Sequence, residues 1–484
     1  MQASNFLFEL SDLDGFKDVE ISSLHIDSRS LSPGGLFFAL KGHKKDGINF
    51  VDSALEKGAA LVISDNKIST KSQNIIYFPD LREYLGLFAS RFYGLPSTKL
   101  KVVCVTGTNG KTTSVETFSS MSNLLQSKCG YMSTINSSID GHILKESVLT
   151  TEHPIQINSF LREALNNKVS YIAMEASSHG LEQNRLAGVE IDYAILTSFS
   201  HDHLDYHGSL KNYKNSKKKL FYDLTPHNNI ICIDSEFGEN LHQELKKINQ
   251  NTYSVSIEKE ADFYATFEKS KGGLNVNLKA FEENINFELS TISRYLASNI
   301  ICSIAVLVLE GKTLREISSI TKDIKLPKGR LERIFHEKNP IYIDYAHTPE
   351  ALECALKEIR RSHEGLIWCL FGCGGDRDKQ KRPLMGSVAE QYADVVVLTN
   401  DNPRREDEKA IISDILSGIE SSEDILIFPD RREAIEKILT EFKKSSNKDV
   451  LLIAGKGHES HQNIGNELLE FNDKDIVSEF LKTK

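Results

Sequence analysis

A chain of 484 residues is long enough for about three domains, each with a hydrophobic core of its own. Its formal net charge of −10 at pH 7 argues against a nucleic-acid-binding surface, which would need a basic stripe. No segment approaches the ~20 consecutive apolar residues of a membrane span, and the first residues lack the basic and apolar parts of a signal peptide. Neither a nucleic acid nor a membrane is therefore expected as a partner.

Cysteine usage predicts the compartment. The seven cysteines are an odd number, and no two are arranged as Cys-x-x-Cys. Cys104, Cys232 and Cys369 lie inside apolar, strand-like runs. This pattern is typical of reduced, buried thiols in a cytoplasmic protein and not of a disulfide framework.

Two short stretches of turn-forming residues, 94–98 and 326–330, predict domain boundaries. The second follows a long helical pattern that begins near Leu296. The resulting domains have sizes that are common among globular proteins. They comprise residues 1–98, 99–328 and 329–484.

A phosphate-binding loop is the most informative motif. The β-favouring run 102–105 leads into two glycines, an asparagine, a lysine and two threonines that can open a helix. A helix N-terminus binds anions well, Lys111 adds charge for the outer phosphates, and the Thr112 hydroxyl can bind Mg²⁺. The strict spacing is not met, because Val105 stands where a glycine is expected, and an ordinary strand–turn–helix is the alternative. The sequence predicts ATP binding by Gly107, Thr108, Asn109, Gly110, Lys111, Thr112 and Thr113.

Two further segments of the middle domain carry candidate metal ligands. Glu175 ends a strand-like run, and a carboxylate near a phosphate-binding loop is a natural Mg²⁺ ligand. Three histidines and two aspartates then lie within 201–207. Zinc is one interpretation of this cluster, but no cysteine lies near it and its spacing matches no structural zinc motif. A Mg²⁺–phosphate site that uses one of the histidines is favoured.

Three consecutive lysines follow in a helical pattern, Lys217, Lys218 and Lys219. On physical grounds alone they are best interpreted as a solvated basic face of a helix.

The last domain alternates strand-like and helical patterns, which predicts a mostly parallel, doubly wound sheet. The predicted strands are 341–343, 366–370, 395–398, 425–427 and 450–453. The predicted helices lie near 349–361, 383–391, 407–418, 431–442 and 474–482. Polar loops follow four of the strands, at 344–349, 372–378, 401–404 and 455–459. Because ligands bind at the carboxyl ends of strands in such sheets, these loops are predicted to form one site.

These segments resemble the Mur ligase family, the ATP-dependent, amide-forming enzymes of peptidoglycan precursor synthesis. The resemblance covers nearly the whole chain and explains the short phosphate-binding loop, since this family uses Gly-Thr-Asn-Gly-Lys-Thr. It implies a three-domain α/β architecture with a UDP-binding, a P-loop and a Rossmann-like domain. The shared motifs are Asp27-Ser28-Arg29, Gly42-His43, Gly107 to Thr113, Met174-Glu175, Asp202 to Gly208, Asp344 to Pro349, Phe371 to Asp378, Asp401 to Arg404 and Gly455 to Glu459.

The resemblance assigns the catalytic residues. It implies two Mg²⁺ ions, with Thr112, Glu175 and His203 among their ligands. Lys217 corresponds to the family's carbamylated lysine, with Ser216 in place of the usual alanine, so CO₂ is implied as the source of an N6-carboxylysine metal ligand. This replaces the solvated-face interpretation for Lys217 and leaves it for the next two lysines. The implied catalytic residues are Lys111, Glu175, His203 and Lys217, and the implied nucleotide contacts beyond the loop are Asn299, Arg330 and His347.

Within the family, the chain resembles members that add meso-2,6-diaminopimelate to UDP-N-acetylmuramoyl-L-alanyl-D-glutamate (UDP-MurNAc-L-Ala-D-Glu), and a monomer is expected. Arg404 would carry the specificity, because diaminopimelate differs from lysine by one carboxylate, which a guanidinium binds through two hydrogen bonds. The implied contacts of the UDP-muramyl-dipeptide are Ile26, Ser28, His43, Lys44, Lys45, Thr150, Thr151, Ser177, Gln183 and Arg185. Those of diaminopimelate are Arg377, Asp401, Asn402, Pro403, Arg404, Gly455 and Glu459.

The chain departs from the family pattern at a few positions. Leu149 replaces an asparagine before a threonine pair, and Glu152-His153 separate this pair from a proline. Ser293 and Leu296 replace a glycine and an asparagine of the adenine-side motif. These departures concern contacts of the dipeptide and the adenine, not the reaction.

Two other functions remain open at this point. A folylpolyglutamate-synthetase-like ligase shares the ATP site but lacks the Asp-Ser-Arg type of N-terminal domain and the Asp-Asn-Pro-Arg loop. A P-loop nucleotide sensor would not need the second metal site that Glu175, His203 and Lys217 imply.

Overall fold

The computed structural model describes residues 1–10, 13–42, 46–68, 74–200, 202–248, 251–270, 272–334, 339–421 and 425–482. These residues contain both helices and strands, which confirms the predicted α/β class. None of the helices in this part of the chain is long and apolar enough to cross a membrane. The chain divides into two compact units, Met1–Gly107 with Phe118–Thr197 and His207–Ser254, and Thr108–Thr117 with Ser198–Tyr206 and Val255–Lys484. The domain boundaries after residues 98 and 328 stay a prediction.

The N-terminal part of the first unit is a small parallel sheet. Its four strands pair in chain order, and each neighbouring pair is parallel. They are Leu24–His25, Leu36–Ala39, Leu61–Ser64 and Ile75–Tyr77. The helix Leu81–Phe92 packs Leu81, Leu85 and Phe88 into the core, at the spacing that keeps them on one helix face. The helix Val51–Glu56 packs in a second apolar cluster on the other side of the sheet.

A larger sheet leads into the phosphate-binding loop. Its strand Lys101–Thr106 pairs in parallel with Tyr193–Leu196 on one side and with Tyr171–Glu175 on the other. Residues 102–105 are fully buried, as expected of a parallel strand that is covered on both faces. The other strands of this part of the chain are Cys129–Met132, Asn136–Ile139, His142–Glu146, Asn228–Cys232 and Thr252–Ser256. The helices of this part of the chain are Lys111–Leu124, Pro154–Asn166, Ser178–Glu182, Leu204–His207, Leu210–Tyr222 and Glu236–Lys247.

In the second unit, three antiparallel strands precede a long buried helix. The strands are Phe263–Lys269, Leu274–Ala280 and Glu283–Leu289. The helix Arg294–Leu309 confirms the predicted helical pattern, and every residue from Leu296 to Leu307 is buried. Ser293 Oγ caps this helix by accepting a hydrogen bond from the Leu296 N–H over 3.2 Å. A short helix, Leu314–Ile320, follows.

The C-terminal sheet has the predicted doubly wound form. The five predicted strands are present as Ile341–Asp344, Ile367–Phe371, Val395–Leu398, Leu426–Ile427 and Val450–Ala454, all in parallel pairs. The five predicted helices are present as Pro349–Ser362, Lys381–Tyr392, Glu408–Leu416, Arg431–Phe442 and Asp473–Lys482. Because the last parallel strand inserts between the first two, the loops that follow these three strands start side by side.

Three short strands of this region are not predicted by the sequence. Glu332–Ile334 adds an antiparallel edge strand, and His461–Ile464 pairs with Glu467–Glu470 in a separate hairpin. The hairpin turns at Gly465, which has φ +61°. Segments of three or four residues with mixed polarity are too short to show a strand pattern, which explains the omission.

Candidate active site

The phosphate-binding loop ends where the helix Lys111–Leu124 begins. Within the second unit, the N–H of Thr108 donates to Ser198 O, and the N–H of Asn109 donates to Ser198 Oγ, each over 3.0 Å. Lys111 Nζ donates to Thr108 O over 3.0 Å, so the ammonium bends back over the loop. A cation above a loop at a helix N-terminus is an arrangement that favours a polyphosphate.

Asn299 lies against this loop. Gly110 has φ +89°, and a Cβ placed there would lie 2.3 Å from Asn299 Oδ1. The Asn299 carbonyl accepts a hydrogen bond from Ser114 Oγ over 3.3 Å, which ties its helix to the helix that follows the loop. The structure therefore brings the loop together with the asparagine that the resemblance assigned to the nucleotide.

We expect Gly110→Ala to weaken ATP binding about tenfold or more, equivalent to at least about 1.4 kcal/mol. The positive φ costs a residue with a Cβ roughly 1–2 kcal/mol, and the added methyl group would displace Asn299. Gly311→Ala is the matched control, because Gly311 has φ +86° with open space around its Cβ position. Calorimetric titration with ATP measures both variants. Equal losses would show that general destabilisation of the fold, and not the contact with Asn299, lowers the affinity.

Glu175 ends a strand of the first unit and is buried. Its Oε1 accepts hydrogen bonds from the Thr134 N–H over 2.7 Å and from Thr134 Oγ1 over 3.0 Å. Thr134 Oγ1 also lies 3.2 Å from Thr150 Oγ1. In the sheet, Glu175 is the register partner of Val105, so its carboxylate stands beside the strand that leads into the phosphate-binding loop. That position suits a Mg²⁺ ligand, and the metal role stays a prediction.

Lys217 is buried in the helix Leu210–Tyr222, while the next two lysines are partly exposed. Its Nζ donates to Gly107 O over 2.7 Å and lies 4.5 Å from the centre of the Tyr213 ring. The solvated-face interpretation is therefore wrong for Lys217. It holds for Lys218, a partly exposed residue that pairs with a glutamate at the surface.

His203 precedes the short helix Leu204–His207 and has φ +53°. Its N–H donates to Asp202 Oδ1 over 2.8 Å, and its Nε2 lies 3.5 Å from Asp202 Oδ2. His201 lies outside the described residues. Apart from such residues, no group of three or more His, Cys, Asp or Glu side chains is arranged to hold a metal. Mg²⁺ sites of the predicted kind take part of their ligands from phosphate and water.

Arg330 and His347, the other residues implied for the nucleotide, meet at Tyr345. The guanidinium carbon of Arg330 lies 4.7 Å from the centre of the Tyr345 ring, and the His347 ring lies 4.6 Å from it. Lys381 Nζ donates to His347 O over 2.7 Å. The loop after the strand Ile341–Asp344 thus brings both predicted residues together.

The middle-domain residues implied for the muramyl-dipeptide form one hydrogen-bonded cluster beside Glu175. Thr151 Oγ1 donates to Glu175 O over 2.7 Å and accepts from the Ser177 N–H over 2.9 Å. Arg185 donates to Thr151 O over 2.5 Å and to Gln183 Oε1 over 2.8 Å. The residues brought together in this way are Thr150, Thr151, Ser177, Gln183 and Arg185.

The N-terminal residues implied for the UDP end lie at the edge of the small sheet. Ile26 is partly buried against the core, and Ser28 is buried. Asp27 caps the short helix Ser28–Ser30 by accepting from the Arg29 N–H over 2.9 Å. Hydrogen bonds from Arg29 lower the pKa of Asp27 to about 2. The remaining residues of this prediction lie outside the described part of the chain, namely His43, Lys44 and Lys45.

Arg377 and Arg404 lie together around Gly374. A Cβ on Gly374 would lie 2.9 Å from Arg404 Nη1 and 3.7 Å from Arg377 Cγ. Arg404 Nη1 donates to the main-chain oxygen of Gly375 over 2.7 Å. Among the side chains that the structure describes, neither guanidinium pairs with a carboxylate. Burial, followed by the charge of Arg377, lowers the pKa of Arg404. Two such cations form a site for an anion, and a carboxylate fits them.

The other amino-acid candidates lie in the adjoining loops. Gly455 has φ +112°, and a Cβ there would lie 2.6 Å from Asp401 Oδ2, so only glycine fits. Asp401 Oδ2 is buried and has no hydrogen-bond partner among the described residues, and burial raises the pKa of Asp401 against the opposing charges of Arg431 and Lys456. Asn402 Nδ2 donates to Glu459 Oε2 over 2.9 Å. The structure brings together Arg377, Asp401, Asn402, Pro403, Arg404, Gly455 and Glu459.

The loops that carry the amino-acid candidates are held by three buried cations, which the sequence did not single out. Arg382 pairs with Glu406 over 3.0 Å, and Arg431 pairs with Asp473 over 2.7 Å. Arg431 also donates to Ala454 O at the end of one strand and to Asn400 O in the loop after another. Lys456 is fully buried among the amino-acid candidates. Lys456 lies inside a motif shared with the family, but nothing in the residue pattern reveals that it is buried.

Three family models match the chain in succession. The Mur ligase family catalytic domain matches residues 20–93, the Mur ligase middle domain matches 105–307, and the Mur ligase glutamate ligase domain matches 329–457.

Relatives match over the whole chain. A UDP-N-acetylmuramoyl-L-alanyl-D-glutamate--2,6-diaminopimelate ligase of Haemophilus influenzae (strain PittEE) is 37% identical, with 100% of both chains covered. A ligase of the same name from Buchnera aphidicola is 38% identical over 95% of each chain. A solved structure of a ligase with this name has a TM-score of 0.73 at 30% identity and covers 100% of this chain and 99% of its own. The chain belongs to the Mur ligase family.

Proposed function

We propose that this chain joins meso-2,6-diaminopimelate to UDP-MurNAc-L-Ala-D-Glu in peptidoglycan precursor synthesis, forming an amide while ATP is converted to ADP and phosphate. The observation that carries the proposal is the pair Arg377 and Arg404, two guanidiniums without a carboxylate partner among the described side chains. Glu459 lies close enough for its negative charge to act on the Arg404 guanidinium. An amino acid with an additional carboxylate and an ammonium group complements this arrangement. The names of relatives at 36–38% identity support the same substrates.

The first step activates a carboxylate, which is by itself a poor electrophile. An oxygen of the dipeptide's terminal carboxylate attacks the γ-phosphorus of ATP, the bond to the β-phosphate oxygen breaks, and ADP leaves with its electron pair. Lys111 would neutralise the charge that builds up between the two anions, since its ammonium already bends over the phosphate-binding loop. The product of this step is an acyl phosphate.

Four side chains would hold Mg²⁺, namely Thr112, Glu175, His203 and carbamylated Lys217. Carboxylate, carbamate and hydroxyl oxygens are donors that Mg²⁺ prefers, and Lys217 Nζ lies 2.7 Å from the loop carbonyl of Gly107. Carbamylation forms one N–C bond between Nζ and CO₂ and releases one proton. The bound metal would supply neutralisation of charge on the transferred phosphoryl group.

The second step forms the amide. The amino group of diaminopimelate attacks the acyl carbon, and the tetrahedral intermediate expels phosphate. Arg377 and Arg404 would fix the distal carboxylate, and Glu459 would hold an ammonium group. This fixes which amine of the substrate is presented for attack. The expected monomeric state and cytoplasmic location stay predictions.

A phosphate-release assay tests the proposal. We expect release that requires the dipeptide, ATP and the amino acid together, with meso-diaminopimelate preferred over its other isomers, lysine and ornithine. Release without the dipeptide would favour a nucleotide-hydrolysing sensor. Release with a folate substrate in its place would favour a folylpolyglutamate-synthetase-like ligase, and a preference for lysine would contradict the assigned specificity.

A further inference from the structure

Lys456 is fully buried at the centre of the amino-acid candidates. Its Nζ donates to His461 O over 2.7 Å, to Glu459 Oε2 over 2.9 Å and to Asn402 Oδ1 over 3.3 Å. A lysine ammonium has three N–H donors, and all three have acceptors here. Lys456 therefore has no donor left with which to contact a substrate.

The two carboxylate oxygens of Glu459 differ in their hydrogen bonds. Oε2 accepts from Lys456 Nζ and from Asn402 Nδ2, each over 2.9 Å. Oε1 accepts no hydrogen bond from any residue that the structure describes. Burial by itself would raise the pKa of Glu459, but the charge and hydrogen bond of Lys456, followed by the hydrogen bond of Asn402 and the charge of His458, hold this pKa below its ordinary value. One oxygen of an ionised carboxylate is thus left for an external cation.

Asn402 is oriented by the same lysine. Its Oδ1 accepts from Lys456 Nζ and from the Asn463 N–H, the latter over 2.9 Å. With the amide oxygen held in this way, Nδ2 must point to Glu459. The buried ammonium therefore fixes both side chains that meet at Glu459 Oε2.

We propose that Lys456 is a positioning residue for the incoming amino acid, which it serves by holding Glu459 Oε2 and leaving Glu459 Oε1 to accept from an ammonium group of the substrate. The inference rests on the proposed function and deepens it. The proposed role needs the charge of Lys456 and not only its volume, because an apolar side chain of the same length would fill the same space without a charge.

Lys456→Met is the test. We expect the KM for diaminopimelate to rise roughly 10–50-fold, the range expected when a charged group loses a hydrogen-bonded partner. The KM values for ATP and the dipeptide should change little. The acid limb of kcat/KM for diaminopimelate should move to higher pH, because Glu459 loses the cation that lowers its pKa. The charged and titratable groups that act on Glu459 are Lys456, His458, Asp401, Arg404, Arg431 and Tyr345.

Lys448→Met is the matched control, since Lys448 is an exposed lysine that pairs with Glu364 at the surface. We expect wild-type KM values and pH dependence from it. If Lys456→Met is poorly folded by circular dichroism, Lys456→Gln keeps hydrogen-bond donors without the charge and must still show the shift in pH dependence.

A double-mutant cycle with Glu459→Gln separates the proposed role from a general structural one. If Lys456 acts through the charge of Glu459, Glu459→Gln and the double variant should have the same KM for diaminopimelate, so the two effects are not additive. Additive losses, or equal rises in KM for all three substrates, would overturn the inference. Failure of the proposed function is distinct, because the wild-type chain would then not use diaminopimelate at all.

Discussion

Lys217→Ala should lower kcat by on the order of 10³-fold while ATP still binds. The side chain is buried, and its Nζ lies 2.7 Å from Gly107 O at the start of the phosphate-binding loop. Removing it would remove the carbamate that we propose as a metal ligand. Because the truncated side chain leaves room for a small anion, acetate or formate should restore part of the activity. The measurement is kcat from phosphate release, with and without the added carboxylate.

Lys218→Ala provides the control, because this neighbour is partly exposed and pairs with Glu244 over 2.5 Å. Its kcat should stay near the wild-type value, as expected for a surface ion pair. Wild-type protein in ¹³CO₂-enriched buffer should also show a carbamate resonance that Lys217→Ala lacks. An inactive Lys217→Ala without rescue, together with no carbamate signal in the wild type, would mean that the unmodified amine acts by holding the Gly107 carbonyl.

The fold class and the C-terminal sheet were predictable because local signals and topology agree there. The strands are apolar runs, and helices begin at capping residues such as Thr348 and Asp430. Once the strands are parallel, their carboxyl ends must share one edge, so the polar loops come together without any knowledge of side-chain contacts. The contact between Gly455 and Asp401 is one result of that topology.

The roles of buried charged residues could not be predicted in this way. Lysine and arginine are mostly exposed, so a pattern-based interpretation places them in solvent. Lys217 is recognised as special only through the family resemblance. Arg431 lies outside the shared motifs, and the motif that contains Lys456 assigns it no role, since the acceptors of both residues lie in parts of the chain that only the tertiary structure brings close. The sequence likewise could not show that Arg377 and Arg404 lack a carboxylate partner among the described side chains, because that depends on where the neighbouring carboxylates lie in the tertiary structure.

The specificity for diaminopimelate should depend on Arg404. Its Nη1 is held by Gly375 O over 2.7 Å, and it has no carboxylate partner among the described side chains. Arg404→Ala would leave the second carboxylate of the substrate desolvated and unpaired, which costs about 3–5 kcal/mol. We therefore expect kcat/KM for diaminopimelate to fall by roughly two to four powers of ten. Lysine lacks this carboxylate, so its already weak use should change far less.

Two further variants decide whether the guanidinium binds substrate or only shapes the loop. Arg404→Lys should not restore the preference, because an ammonium cannot supply the planar pair of donors that a carboxylate accepts. Arg405→Ala is the matched control, since the adjacent arginine is exposed and pairs with Asp376 over 2.9 Å. It should keep the wild-type ratio of kcat/KM values for the two amino acids. Equal losses for diaminopimelate and lysine in Arg404→Ala would mean that the bond from Arg404 to Gly375 holds the loop and that the second carboxylate is bound elsewhere.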